Sequence, residues 1–283
     1  MRARTITIRQ AADGSRPRPL HEDFEAVAPN GADGNGRRPL PAIAGRLVDP
    51  ERISAEVEEM GAAEAIVWAI ETFGSGLGFA VSFQKTSSVI IDIAHRIDPS
   101  ASRSRSRSPR PAPALRFFYL DTDLLFPETY ETRDRLSQRF GIEFVRFAQD
   151  NPPGLRERWE ANLWRESDEC CATRKVATMH RALEGIECWV SGVRRVDSPT
   201  RAASPRFGWD PRFDRWKLNP LVDWTDQQVW NYIHENHVPY NPLHDQGYPS
   251  IGCMPCTSKA GPGEDPRAGR WAGTDRTECG LNG

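Results

Sequence analysis

A chain of 283 residues with 37 Lys and Arg against 39 Asp and Glu carries a formal net charge of −2, which argues against nucleic acid or an anionic membrane surface as its main partner. That length suits one sizeable α/β domain with appendages, or two small domains. No apolar run approaches the roughly 20 residues of a membrane span, and six cysteines are too few for a disulfide scaffold.

The N-terminus lacks the apolar core of a secretory signal, so a reducing cytoplasm is the expected compartment. Residues 1–20 carry arginines and Ser15 with one acid, Asp13, as a transit peptide would; Glu22, Asp23 and Glu25 weigh against that reading. Residues 1–47 are rich in Gly, Pro, Arg and Asn without a hydrophobic period, and are expected to lie outside the core as a disordered segment. From Pro50 to Phe73, Ile53, Val57, Met60, Ala63, Ile66, Val67 and Ile70 recur at helical steps. A turn at Gly74-Ser-Gly76 then feeds a short apolar strand. Ser82-Phe-Gln-Lys-Thr-Ser-Ser88 reads as a polar loop opening a helix from Val89 to Ile97. Strand, Ser/Thr-rich loop and helix can present backbone N–H groups and a helix dipole to a phosphate; an ordinary βα turn with a Ser cap fits the spacing equally well.

Residues 102–113 are a basic, Pro-rich, low-complexity insert, expected to be a solvated loop. Leu115–Leu120 is a buried strand ending in Asp121-Thr-Asp123, and polar residues at a parallel strand's carboxyl end are where open α/β sheets place ligands. An amphipathic helix, Glu128–Phe140, and a strand, Glu143–Phe147, follow. Beyond Asn151 the pattern shifts to loops and tryptophans, then a helix over Val176–Leu183, a strand over Cys188–Val193, a run over Phe213–Leu218 and a helix over Asp226–Asn236. This alternation predicts an α/β fold with a parallel sheet flanked by helices.

Three constellations could carry chemistry. Vicinal Cys170 and Cys171 and the C-x-x-C pair Cys253 and Cys256 offer four thiolates, suited to zinc or an iron–sulfur cluster. Adjacent cysteines fit two corners of a cubane more readily than one tetrahedral ion; a core or regulatory role for one pair is the plainer alternative. Cys188, inside an apolar strand, reads as core packing. Lys175, Arg194, Arg195, Arg201, Arg267 and Arg270 lie near loop ends or cysteines. Arginine forks match phosphate and sulfate oxygens, but taken singly each reads more simply as a surface cation, and only Arg267 and Arg270, spaced to face one way, point to a binding role. Finally, Cys279 stands alone near the C-terminus behind guanidinium groups that favour its thiolate. His180, His234, His237 and His244 show no catalytic spacing and read as surface or structural residues.

These residues carry a family resemblance. Cys170-Cys171-x-x-Arg174-Lys175, Trp189-Val-Ser-Gly-Val-Arg194-Arg195-x-x-Ser198-Pro-Thr200-Arg201 and Tyr248-Pro-Ser-Ile-Gly-Cys253-x-Pro-Cys256-Thr resemble assimilatory adenylylsulfate (APS) reductases. So do Gly263-Glu-Asp-x-Arg267-Ala-Gly-Arg270-Trp271 and Glu278-Cys279-Gly-Leu281. The family spans APS and phosphoadenylylsulfate (PAPS) reductases, and the match runs from about Ala80 to Leu281. The resemblance implies a fold similar to the adenine-nucleotide α-hydrolase (PP-loop) group, with Ser82 and Gln84 in its phosphate-binding loop. It implies Cys279 as the nucleophile that forms an S-sulfocysteine, with sulfite then released by thioredoxin or glutaredoxin. It also implies substrate contacts from Lys175, Arg194, Arg195, Arg201, Arg267 and Arg270. Cys170, Cys171, Cys253 and Cys256 would hold a [4Fe–4S] cluster, and that quartet favours APS over PAPS. The implied organisation is an N-terminal segment over 1–47, a nucleotide-binding reductase domain over 48–250, and a cluster-ligand and catalytic tail over 251–283.

Two departures stand out. The family usually ends Glu-Cys-Gly-Leu-His, whereas Asn282 here cannot carry a proton, and the Ser-Arg insert is atypical. A PAPS reductase, a nucleotide-modifying ATP pyrophosphatase and a metal-binding interaction module on the same fold are the alternatives. A homo-oligomer is compatible with the sequence.

Overall fold

The apolar runs and helical periods assemble into one open sheet with helices on both faces. The computed structural model describes residues 42–43, 45–97, 115–149, 168–261 and 263–282. Strands β3 (Leu77–Ala80), β4 (Arg116–Asp121), β5 (Phe144–Ala148), β6 (Cys188–Val190), β7 (Phe207–Asp210) and β8 (Arg215–Leu218) form a 6-stranded sheet of order β5-β4-β3-β6-β8-β7. Five strands run parallel, and β7 closes the β8 edge antiparallel. The chain steps outward from β3 through β4 to β5, then returns to β6 on β3's other side. That reversal opens a crevice beyond the carboxyl ends of β3 and β6, where ligands bind in open α/β sheets.

Side-chain alternation divides the core. On β4, Phe117 and Tyr119 enter the larger cluster with Phe79 and Phe83, while Phe118 packs oppositely with Met179, Trp189 and Phe213. Fully burying one such aromatic side chain stabilises the fold by about 1.5–3 kcal/mol. Helices α1 (Pro50–Glu58), α2 (Ala62–Phe73), α3 (Lys85–Ile97), α4 (Pro127–Phe140) and α6 (Asp226–Asn236) supply or border the larger cluster. The smaller cluster is covered by α5 (Ala177–Ala182), which continues a short turn, Glu169–Cys171, and a π-helical turn, Ala172–Val176.

Several boundaries differ from the sequence expectation. The helix read from Pro50 to Phe73 is two helices. Asp49 caps the first through its carboxylate, and Gly61 opens the second, its N–H bonded to Glu64. Helix α3 begins at Lys85, so Lys85, Thr86, Ser87 and Ser88 form its first turn rather than loop. Strand β7 gives no clear signal in the sequence, because Phe207-Gly-Trp-Asp210 is short and interrupted by Gly208. Within the segment expected outside the core, β1 (Ala42–Ile43) and β2 (Arg46–Leu47) pair as a hairpin. Ile43 is buried there, and the Ala42 carbonyl accepts from Trp216 Nε1 at 3.0 Å. The rest of that segment, residues 1–41 and 44, and the insert at 102–113 lie outside the described residues. Among the described residues no helix is long and apolar enough to cross a membrane.

Candidate active site

The crevice holds a cavity of about 220 Å³, walled by the β3–α3 loop, the loops after β4 and β6, and the C-terminal tail. Its floor is a helix start. Ser82 N–H donates to Ser87 Oγ at 3.0 Å, and Lys85 N–H donates to His244 Nε2 at 3.2 Å. His244 can accept because burial and Lys85 hold its imidazole neutral, with its pKa pushed down to about 4. Phe83 sits at φ 56°, an unfavourable conformation for a bulky residue. Its buried ring, wedged edge-on against Tyr119 and Phe144, holds it there. Gly192, after β6, permits the opposite wall to close in: a Cβ there would lie 2.6 Å from Thr86 Oγ1.

Cations crowd one end of this cavity. Lys175 projects from the π-helical turn, a feature that locally re-aims side chains. Arg194 and Arg201 come from the loop after β6, and Arg267 and Arg270 from the terminal run. Trp271 organises the last two. Buried and at φ 51°, it carries the guanidinium carbons of Arg270, Arg267 and Arg276 at 4.5, 5.5 and 5.7 Å from its ring centroid. Such stacking holds a cation by the ring quadrupole while leaving its N–H fork usable. Burial, then neighbouring Arg201, push the Arg267 pKa down to about 10. The Glu278 carboxylate bridges two of these forks, 2.7 and 2.9 Å from Arg201 nitrogens and 3.1 Å from Arg267. A tail carboxylate thus lies where a substrate anion could be gripped.

Cys279 follows Glu278 into the same cavity and packs beside the other cysteines. Burial raises its pKa, but Lys175, a backbone N–H and Arg270 outweigh that and lower it overall, favouring thiolate. Lys175 is held charged by Cys253 and Cys279 despite its burial. One ammonium therefore faces both the tail thiol and the C-x-x-C pair.

Behind that ammonium, Cys170, Cys171, Cys253 and Cys256 line a second, small cavity with Leu124 and Trp271. Backbone pairing fixes the set. Met254 N–H donates to Leu124 O at 2.7 Å, Trp271 N–H to Cys256 O at 3.0 Å, and Cys253 Sγ lies 3.2 Å from Thr122 Oγ1. None of the six cysteines is joined in a disulfide. The four cannot ionise together unaided. Cys253 is held well below its ordinary pKa by Cys256 and then Lys175, whereas burial pushes Cys170 up to about 11 and Cys171 upward, and Cys253 and burial push Cys256 upward. Such a donor set suits a cationic group that takes all four as thiolates. Among the described residues, no three or more His, Cys, Asp or Glu side chains converge closely enough to hold one metal ion.

The cavity brings together Ser82, Gln84, Lys175, Arg194, Arg201, Arg267, Arg270 and Cys279. Gln84 also braces the scaffold, since its Oε1 accepts from Ile251 N–H at 2.9 Å and so ties the loop before Cys253 to the helix start. Arg194 likewise donates to Asp197 at 2.8 Å and Asp226 at 3.0 Å. Arg195, expected as a substrate contact, is not brought to the cavity lining; its guanidinium bonds to Glu58 at 2.6 Å and the Ser204 carbonyl at 3.0 Å. Replacing Arg195 by Met should leave KM unchanged and cost about 1 kcal/mol or less, as partly exposed ion pairs do, read as a small fall in Tm. Sequence reasoning missed Lys85, whose ammonium pairs with Asp226 at 2.5 Å, and also His244, Trp271 and Glu278. Only the last two sit inside a recognisable motif; His244 gives no local signal, since its partner is 159 positions away.

Comparison with known proteins agrees with this geometry. Residues 77–259 match the phosphoadenosine phosphosulfate reductase domain family. An adenosine 5'-phosphosulfate reductase of Shouchella clausii is 38% identical over 237 residues, covering 83% of this chain and 92% of the relative. That of Staphylococcus haemolyticus is 39% identical over 237 residues, covering 82% and 91%. The crystal structure of a phosphoadenylyl-sulfate reductase from Candida auris, a phosphate complex, superposes with a TM-score of 0.58 at 25% identity, covering 72% of this chain and 93% of that one.

Proposed function

The chain belongs to the APS/PAPS reductase family, on its adenylylsulfate reductase side, and from that premise we propose that it reduces adenylylsulfate to sulfite and AMP through Cys279. The observation that carries the proposal is the tail thiol held beside Lys175 and Arg270 at the cationic end of the cavity.

In this reading the nucleotide lies in the crevice with its phosphate over the α3 start, and its sulfate meets the forks of Arg201, Arg267 and Arg270. Glu278 must yield part of its hold on Arg201 and Arg267 as the sulfate enters. The Cys279 thiolate attacks sulfur; the bond from that sulfur to the bridging oxygen breaks, and AMP leaves with the electron pair. Lys175 balances the thiolate before attack, and the arginines stabilise charge as it moves toward the phosphate. The S-sulfocysteine is then attacked at its Cys279 sulfur by a dithiol protein such as thioredoxin. Sulfite departs, and the second partner thiol resolves the mixed disulfide. Two electrons pass from the dithiol to the former sulfate sulfur, and Cys279 is restored.

Cys170, Cys171, Cys253 and Cys256, which line one small cavity, are the residues that would hold a [4Fe–4S] cluster. Such a cluster would supply a fixed field beside Lys175 without itself changing oxidation state. Residues 48–250 form the nucleotide-binding domain of this reading and 251–283 the segment of cluster ligands and nucleophile. We place the reaction in the cytoplasm, where dithiol partners are kept reduced.

The test is sulfite release with reduced thioredoxin, comparing adenylylsulfate with its 3'-phosphorylated analogue. Preferential turnover of adenylylsulfate is expected; turnover of the analogue alone, or of neither by iron-replete protein, contradicts the proposal. A sharper arm uses Gly252, against which the Arg270 guanidinium lies with no room for a Cβ. Gly252→Ala should displace that fork and raise KM for adenylylsulfate by about tenfold, the scale of one charge-assisted hydrogen bond.

A further inference from the structure

Residues on both sides of Cys279 are tied down, and the outermost tie is unusual. Before it, Glu278 is shared between Arg201 and Arg267. After it, Arg212 Nη1 donates to the Gly280 carbonyl at 3.3 Å, and Leu281 packs on the Phe118, Met179, Trp189 and Phe213 cluster. Last, Lys217 Nζ, from β8, donates to Asn282 Oδ1 at 2.6 Å while lying 4.4 Å from the centroid of the Trp189 ring. Among the described residues no carboxylate reaches Lys217 at ion-pair distance, so the one hydrogen-bond acceptor found on this amine is the neutral amide of the tail.

We propose that Lys217 is a positioning residue for Cys279: by holding Asn282 against the face of Trp189 it latches the tail and sets the place of the thiol three residues earlier. The proposal rests on the reading of Cys279 as nucleophile but extends to residues that reading does not use. Geometry gives the reason a lysine and an amide suit each other here. An amide oxygen accepts from either an ammonium or an amine, so the contact survives loss of the lysine's proton.

The surroundings give the latch a pH dependence. Burial pushes the Lys217 pKa down from its ordinary 10.5 to about 7, against the pull of Asp210 on β7 and Glu278 on the tail and with the push of Arg212 and Arg201. A lifted tail would return the amine to water and toward its ordinary value. Between about pH 7 and 10.5 the docked state therefore binds fewer protons at Lys217 than the lifted state. Raising pH across that window favours docking.

Alkylation of Cys279 by iodoacetamide, followed on the full chain without nucleotide by peptide mass spectrometry, tests this. Asn282→Ala and Lys217→Met should each react about tenfold faster than the wild type near pH 8, the scale of one hydrogen bond to a chargeable group. Asn282→Asp should react no faster than the wild type, because a carboxylate strengthens the hold on the amine. The rate ratio of Asn282→Ala to wild type should also grow from about pH 7 to about pH 9, as rising pH docks the wild-type tail more firmly. Equal rates in Asn282→Ala and the wild type, or an Asn282→Asp tail as reactive as Asn282→Ala, would overturn the latch. If Lys217→Met does not fold, the two Asn282 variants decide alone. Because no nucleotide is present, a working latch in a protein that forms no sulfite would refute the proposed activity and leave this inference standing.

Discussion

Cys279→Ser should lower sulfite formation from adenylylsulfate by about ten-thousand-fold or more, the scale seen when an enzyme loses its nucleophile. A serine hydroxyl in the same position lacks the advantage Lys175 and Arg270 give to a thiol, because its pKa lies too far above neutrality for two nearby cations to ionise it. The cavity itself should be unharmed: its floor, the Trp271 platform and the cysteine quartet do not depend on this sulfur. AMP affinity and iron content should therefore match the wild type, measured by calorimetry and metal analysis alongside the steady-state assay. Near-normal turnover by the variant would remove Cys279 from the mechanism.

Lys175→Met should reduce kcat/KM by about a hundred- to a thousand-fold, comparable to removing one preorganised donor from a transition state. The ammonium is buried between Cys253 and Cys279, which hold it charged. Methionine keeps most of the volume and none of the charge, removing the cation that does most to favour the tail thiolate in a low-dielectric site. The loss should fall mainly on the single-turnover rate of AMP release and much less on nucleotide affinity, because the arginine forks remain. A rapid-mix experiment separates the two. A variant with unchanged single-turnover rate and a proportionate loss of affinity would make Lys175 a binding group only.

The sheet and most of its helices are legible in the chain because their signals are local. Leu115-Arg-Phe-Phe-Tyr-Leu120 is as apolar as a doubly covered strand must be, and Asp226–Asn236 carries both its Thr225 cap and its period. The start of α3 is not legible, since Thr86, Ser87 and Ser88 have weak helix preference, and what holds its first amide is His244, far away in sequence. Cysteine and arginine spacing points to the site residues, yet Arg194, Arg195 and Arg201 look alike in the chain and differ in the fold. A distant acid, Glu58, and the Ser204 carbonyl hold Arg195 away from the cavity lining. Trp271 shows itself merely as a neighbour of Arg270, because a platform for three guanidiniums is a property of a loop's path and not of its composition. In the chain Asn282 marks only the loss of a histidine; beside Lys217 it is a contact in its own right.

The decisive species is a sulfonated tail. When purified protein is mixed with adenylylsulfate and no reductant, intact-mass and peptide mass spectrometry should find one sulfonate per chain, on the peptide carrying Cys279, with AMP released in equal amount. AMP release with that peptide unmodified, or a sulfonate carried by another cysteine, would contradict it.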